Sequence, residues 1–251
     1  MFNAVIFMQS VRKNGKLWLV LTGVVSFFAC MVAYLAKVNP GFALPGSRAG
    51  ADILTVYAGA FYGMMGLMLV LVYAIAAGNR LVASEVDKGD MAYTLNTPVS
   101  RREVVVTKAV FHVSSVFLMI LALSAAGTAA NALLSPGKLD AGVFWAINAV
   151  MFCFMFSVSG ISFAASCWFN KSGQSLAVGA GLPIAFFLFH TLAGFGGELE
   201  FFRYFTLNTL FDPMGIIGGR GYALEALSLL AVGLALYAAG IARFLRKDLP
   251  L

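Results

Sequence analysis

The chain has 251 residues, of which 61% are apolar and 11% charged, and its mean hydropathy is +0.88. One large globular domain or a bundle of membrane spans would fit those numbers, and the length of the apolar runs decides for the spans. The formal net charge of +6 is read as a topology signal and not as a nucleic-acid footprint, because basic residues sort to one side of a membrane.

Residues 1–13 (MFNAVIFMQSVRK) put Phe2, Val5, Ile6 and Gln9 on one side at helical spacing, with basic residues gathering at the end. Such a segment can lie along the membrane surface, so an amphipathic elbow helix is expected over 1–16; a plain extension of span one fits the same pattern. Residues 17–36 carry no charge, and at about 1.5 Å per helical residue the run matches a hydrocarbon core of roughly 30 Å. It is too long for a signal peptide and is followed by further spans, so a retained first helix is expected. The next segment, VNPGFALPGSRAGAD, has the punctuation of an outer loop. Its Gly41 and Gly46 have P-loop spacing, but Ser47 and Arg48 stand where Lys and Ser or Thr are required, so no phosphate cradle is expected.

Further apolar runs place spans at 54–78, 104–131, 142–168, 175–195 and 222–243, giving six in one transmembrane domain over 1–251. Small residues in span two (Gly59, Gly63, Gly66), span four (Ser157, Ser159, Gly160, Ser162) and span five (Gly179, Gly181) suit close helix approach. Cys30, Cys153 and Cys167 fall in spans without a paired short spacing, which argues against a disulfide frame or a zinc site. With both termini inside, twelve basic residues, Arg12, Lys13, Lys16, Arg80, Lys88, Arg101, Arg102, Lys108, Lys171, Arg243, Arg246 and Lys247, lie on the inner side. Lys37, Arg48, Lys138, Arg203 and Arg220 lie outside. That bias predicts cytoplasmic termini.

Charge concentrates in EVDKGDMAYTLNTPVSRREV, residues 85–104, which this topology places in the cytoplasm. Span two is expected to continue inward through GNRLVASEVDK to Gly89, a stop that tolerates the left-handed conformation. Asp90 then caps a short helix over 91–96, in which Met91 and Leu95 share a face. Thr97 and Pro98 break it, and Ser100 with Glu103 forms a capping box between Val99 and Val104, from which span three starts. The product is a rigid knob with an apolar tip and a charged skirt, expected to be gripped by a partner; a well-capped spacer loop is the alternative.

The segment 197–222 (GELEFFRYFTLNTLFDPMGIIGGRGY) is too apolar for a free loop and too interrupted to span, and reads as helices that dip part-way into the membrane. A plain amphipathic surface loop is the other reading. Ser159 in a serine-rich fourth span and His190 in the fifth raise an intramembrane serine protease as an enzyme-class rival, although Ser157 stands where the expected motif has Gly. No Asp or Glu lies deep in a span, which argues against a proton relay.

The stretch NRLVASEVDKGDMAYTLNTPVSRREVVVTK resembles the segment that joins spans two and three in type-2, exporter-type ABC transporter permeases. The pattern there is an acidic residue, a Gly, a Pro and an Arg, matched here by Glu85, Gly89, Pro98 and Arg101. GISFAASCWFNKSGQSLAVGAGLP and the tail GIARFLRKDLPL extend the likeness over most of the chain. The resemblance implies an all-α polytopic membrane protein with six transmembrane helices, an N-terminal elbow, a coupling helix within 85–98 and re-entrant outer helices between spans five and six. Such a permease pairs with a second copy or a paralogue and docks two cytoplasmic ATPase subunits, which carry the ATP and Mg. The chain itself would hold no cofactor, metal or catalytic residue and would bind no nucleic acid; its remaining partner is membrane lipid.

By the same resemblance, Glu85 and Asp87 would meet basic groups of the ATPase, while Met91 and Leu95 fill an apolar notch. Lys171, in the loop FNKSGQS, would make a lesser second contact, and Phe201, Phe202, Tyr204 and Phe205 would form an outer gate. The overall pattern looks most like permeases of phenol-soluble-modulin and antimicrobial-peptide exporters, which implies export of amphipathic peptides across a bacterial plasma membrane. Phe61, Tyr62, Met64, Met65 and Met68 would line an adaptable path for such cargo, or face lipid. A non-transporting immunity or scaffold protein that holds an ATPase by the same knob is the alternative.

Overall fold

A computed structural model describes residues 2–38 and 53–248. The loop with Gly41, Gly46 and Arg48 and the last three residues of the tail lie outside the described residues. All regular structure among the described residues is helical, and six stretches are long and apolar enough to cross a membrane: Ala4–Leu35, Ile53–Asp87, Arg101–Leu134, Ala141–Trp168, Ser172–Ala193 and Ala223–Arg246. The protein is an all-α polytopic membrane protein. The face where residues 4, 101, 172 and 246 gather is called the basic face below.

Span one is part of a single helix, α1 (Ala4–Val38). The segment expected to form a separate elbow over 1–16 therefore runs into span one without a break. Gly15 is the weakest helix former at the junction, and one glycine costs about 1 kcal/mol, too little to stop a long helix. Asn14 instead back-bonds, its Nδ2 donating to the Ser10 carbonyl at 3.1 Å.

Span two is composite, with α2 (Ile53–Val56), a π-helical stretch (Tyr57–Met65) and α3 (Gly66–Leu81). The wider π turns bring Tyr57, Phe61 and Tyr62 together in the core, against Phe144 of span four. The Tyr57 hydroxyl is satisfied there, donating to Ala29 O at 2.7 Å and accepting from Asn131 Nδ2 at 2.9 Å. Phe61 and Tyr62 are thus buried while Met65 is exposed, so these three do not face one path. Gly63 is likewise exposed, with no other helix against it, whereas Gly66 is closed off by the Phe61 ring of its own span.

Two short helices follow, α4 (Ala83–Asp87) and α5 (Asp90–Leu95), and then span three, α6 (Arg101–Leu134). Span four, α7 (Ala141–Trp168), starts where the Asp140 side chain accepts from Val143 N at 3.2 Å. It is the central helix, packed on α3, α6, span five (α8, Ser172–Ala193) and span six. Between α7 and span six, small residues allow close approach, as expected where helices pack by van der Waals contact and interhelical hydrogen bonds. A Cβ on Gly160 would lie 3.1 Å from Leu236 Cβ and 3.2 Å from the Gly233 carbonyl.

On the far face, 3-10 turns cover Gly197–Phe205 and Leu207–Leu210, followed by α9 (Pro213–Ile217) and span six, α10 (Ala223–Arg246). Within 197–222, it is Phe211 and Ile216 that enter the helix bundle. Phe211 stacks on Phe154 at 5.8 Å and meets Tyr62 edge-on at 6.1 Å, and Ile216 is buried beside them in the core. Phe201, Phe202, Tyr204 and Phe205 stay outside the bundle. Phe202 stacks on Phe189 of α8 at 5.1 Å and the Phe201 and Phe205 rings meet at 5.0 Å, leaving Tyr204 85% exposed.

Candidate functional site

The helical ladder of span two breaks at Val82, which takes φ −127° and ψ −65°. Backbone groups freed inside an apolar bundle need partners, and other spans supply them. Ala83 N donates to Ser166 Oγ of span four at 2.8 Å, and Lys108 Nζ of span three donates to Leu81 O. The same ammonium pairs with Glu85, whose other oxygen accepts from Lys13 Nζ of span one at 3.1 Å. Lys13 also reaches Asp90 Oδ2 at 3.2 Å. The Lys108 side chain is 3% exposed and that of Glu85 10%, so neither would be stable there without the other.

Asp87 acts differently. Its Oδ2 accepts from Ser172 N at 3.1 Å, capping the start of α8, and Asn79 Nδ2 donates to Ser172 Oγ at 2.7 Å. The loop with Lys171, exposed beside this cap, is therefore joined to the segment 83–98 as one surface. Both sequence-expected contact regions come together, but Glu85 is consumed by Lys13 and Lys108 within the chain.

Gly89 has φ +78° and ends α4 as expected. It also occupies the position before α5, so Asp90 lies in the first turn and not at the cap. Met91 is 0% exposed, in a cluster with Ile6, Val86, Val104 and Phe244, and Leu95 and Val99 pack on the same cluster. The apolar face of α5 thus points into the protein. What it offers outward is Tyr93, 79% exposed, with Lys88, Asn96 and Pro98 around it. The capping box has both its bonds, Glu103 N to Ser100 Oγ and Ser100 N to Glu103 Oε2, each 3.2 Å.

Arg101 is exposed, and its Nη1 donates to Lys247 O at 3.1 Å, while Lys247 Nζ donates to Cys167 O at the end of α7, also at 3.1 Å. Burial pushes the Lys247 amine down to about 8 from an ordinary value of 10.5. Between these values the unfolded chain binds more protons, so this group makes stability rise with pH from about 8 toward 10.5. Thermal unfolding of the purified protein across that range should show the slope, and Lys247→Met should reduce it. Equal slopes in the two proteins would refute this assignment.

Ser159 and His190 are not brought together. His190 is exposed toward the far end of α8, whereas Ser159 is buried, donating to Phe156 O at 2.9 Å. The Tyr237 hydroxyl lies 2.9 Å from Ser159 Oγ and 3.0 Å from Nδ1 of His112, whose Nε2 is 2.9 Å from Ala74 O. This polar chain ties spans two, three, four and six, and it holds Ser159 in a structural network away from His190.

The arrangement defines a multi-pass membrane protein whose basic face carries a braced, partly aromatic knob. Residues 7–208 match the family model described as ABC-2 family transporter protein, and the chain belongs to that family. No curated protein matches it. It is a membrane permease subunit of an ABC transporter, a transport subunit and not itself an enzyme, and its family works with an ABC ATPase.

Proposed function

We propose that this chain is the membrane half of an ATP-driven exporter in a bacterial plasma membrane, with its basic face in the cytoplasm. It pairs with a second copy or a paralogous permease and with two ATPase subunits, which bind the ATP and Mg. Amphipathic or antimicrobial peptides are the proposed cargo. Supporting the pairing, only 11% of the α8 span is buried within the chain, and its exposed face includes Gln174, Gly181 and Thr191, residues that suit a helix partner better than lipid.

The observation that carries the reading is Tyr93, exposed on a short helix whose opposite face is locked into the bundle. An aromatic side chain held rigidly at a surface is a strong anchor for a partner pocket. Tyr93, with Lys88, Asn96 and Lys171, forms the docking face, while Glu85, Asp87, Met91, Leu95 and Arg101 hold it in place. Closure of the ATPase pair on ATP would move the knob and switch the bundle from inward to outward access.

Tyr93→Asp should weaken recovery of the ATPase from native membranes at least about tenfold, in line with the loss of an aromatic hot spot, without changing the melting temperature of the chain. Undiminished ATPase recovery and peptide-stimulated hydrolysis in the variant would defeat the docking assignment. ATPase binding without movement of an amphipathic helical peptide into inverted vesicles would place the chain among scaffold proteins instead.

A further inference from the structure

Helices α1 and α6 start side by side on the basic face, where Asn3 N donates to Thr107 Oγ1 at 3.0 Å and the Phe7 and Phe111 rings meet edge to face at 5.7 Å. They meet again where Trp18 Nε1 donates to Ser115 O at 2.8 Å. Between these two contacts lies a crevice of about 210 Å³, walled by Phe7, Val11, Gly15 and Trp18 on one side and Phe111 and Leu118 on the other. The hydroxyls at its edge are turned away, Ser114 donating to Val110 O and Ser115 to His112 O.

The crevice is open on one side and its lining is almost wholly apolar, so an apolar chain suits it better than water does. Its surroundings select the ligand. The next stripe of α1 carries Arg12 and Lys16, both exposed and, among the described residues, without an acidic partner. Apolar depth beside two cations matches an anionic lipid, because basic side chains at a membrane surface attract such headgroups.

We propose that the crevice between α1 and α6 holds an acyl chain of one anionic phospholipid, with its phosphate on Arg12 and Lys16. Lys13 lies on the same turn of α1 and bonds both Glu85 and Asp90. An occupied crevice therefore props the segment that braces the knob. The site belongs to this chain alone and needs no ATPase, so its test stands apart from that of the exporter reading.

The full chain, stripped of lipid in mild detergent, is titrated with phosphatidylglycerol or phosphatidylcholine and followed by native mass spectrometry. One tightly retained phosphatidylglycerol is expected. A Cβ on Gly15 meets nothing within 4 Å, so Gly15→Leu should fill the crevice and lower retention about tenfold, whereas Gly15→Ala should keep the lipid. Arg12→Gln with Lys16→Gln should bring the two lipids to near parity. Should Gly15→Leu fail to fold, Leu118→Trp closes the crevice from the opposite wall. The proposal is overturned if closing the crevice leaves retention unchanged, if wild type holds phosphatidylcholine equally well, or if Gly15→Leu dissociates a dimer, which would make the crevice a contact between copies.

Discussion

Glu85→Ala is expected to destabilise the protein by about 3–5 kcal/mol, the penalty for removing one partner of a buried ion pair. The variant would leave the Lys108 ammonium in an apolar pocket with only Leu81 O as a polar partner, and would also free Lys13. Glu85→Lys is worse, because it gathers three ammonium groups where one carboxylate stood. Poor yield and early aggregation in detergent should be its phenotype, so charge reversal here is not a clean probe of partner binding. The double change Glu85→Met with Lys108→Met removes both charges and should recover much of the loss, since apolar replacement of a buried pair is often neutral. A thermal melt of the single and double variants decides the matter: a double variant no better than Glu85→Ala would refute the pairing as the cause.

Gly233→Leu should be the most damaging single change within the spans. A Cβ at this position would fall inside contact distance of the Phe156 ring and lie 3.3 Å from the Phe156 backbone carbon. The backbone of α7 cannot yield without losing its contacts with α3, α6 and α8, so α10 must move away. Overpacking of this kind costs about 1–3 kcal/mol or more, here along the seam that holds the last span. Gly23→Leu on α1 is the control, because the site is exposed and a Cβ there meets nothing within 4 Å. A disulfide engineered across the α7–α10 seam should form in wild type and in the control, and fail in Gly233→Leu.

The spans were legible because an uncharged run of membrane length has few alternatives. The stops around the knob were legible for a similar reason, since Gly89 and the Ser100–Glu103 box are set by neighbours within three residues. What the sequence did not show is which way α5 faces. Spacing places Met91 and Leu95 on one side of a helix, but the side that is buried depends on Ile6, Val104 and Phe244, which are distant in the chain. Glu85 reads in the sequence as a contact for another protein because its partners lie 23 and 72 residues away. A signal for the nearer one was present: Lys108 sits among Val104, Val105, Val106, Ala109 and Val110, and a cation in such a run demands an anion. Tyr93 does not stand out in the sequence because hydropathy favours its apolar neighbours Met91 and Leu95.

Under the proposed function, the break at Val82 has a mechanical meaning. With the backbone ladder interrupted there, α4 and α5 are not the stiff tip of span two. They hang from Lys13 of span one, Lys108 of span three, Ser166 of span four and the head of span five, and Arg101 fastens their exit to Lys247 beyond span six. A push on Tyr93 has no single shaft to run along. It loads six helices at once, as a hub loads its spokes, and a change in any one strut shifts the share carried by the rest.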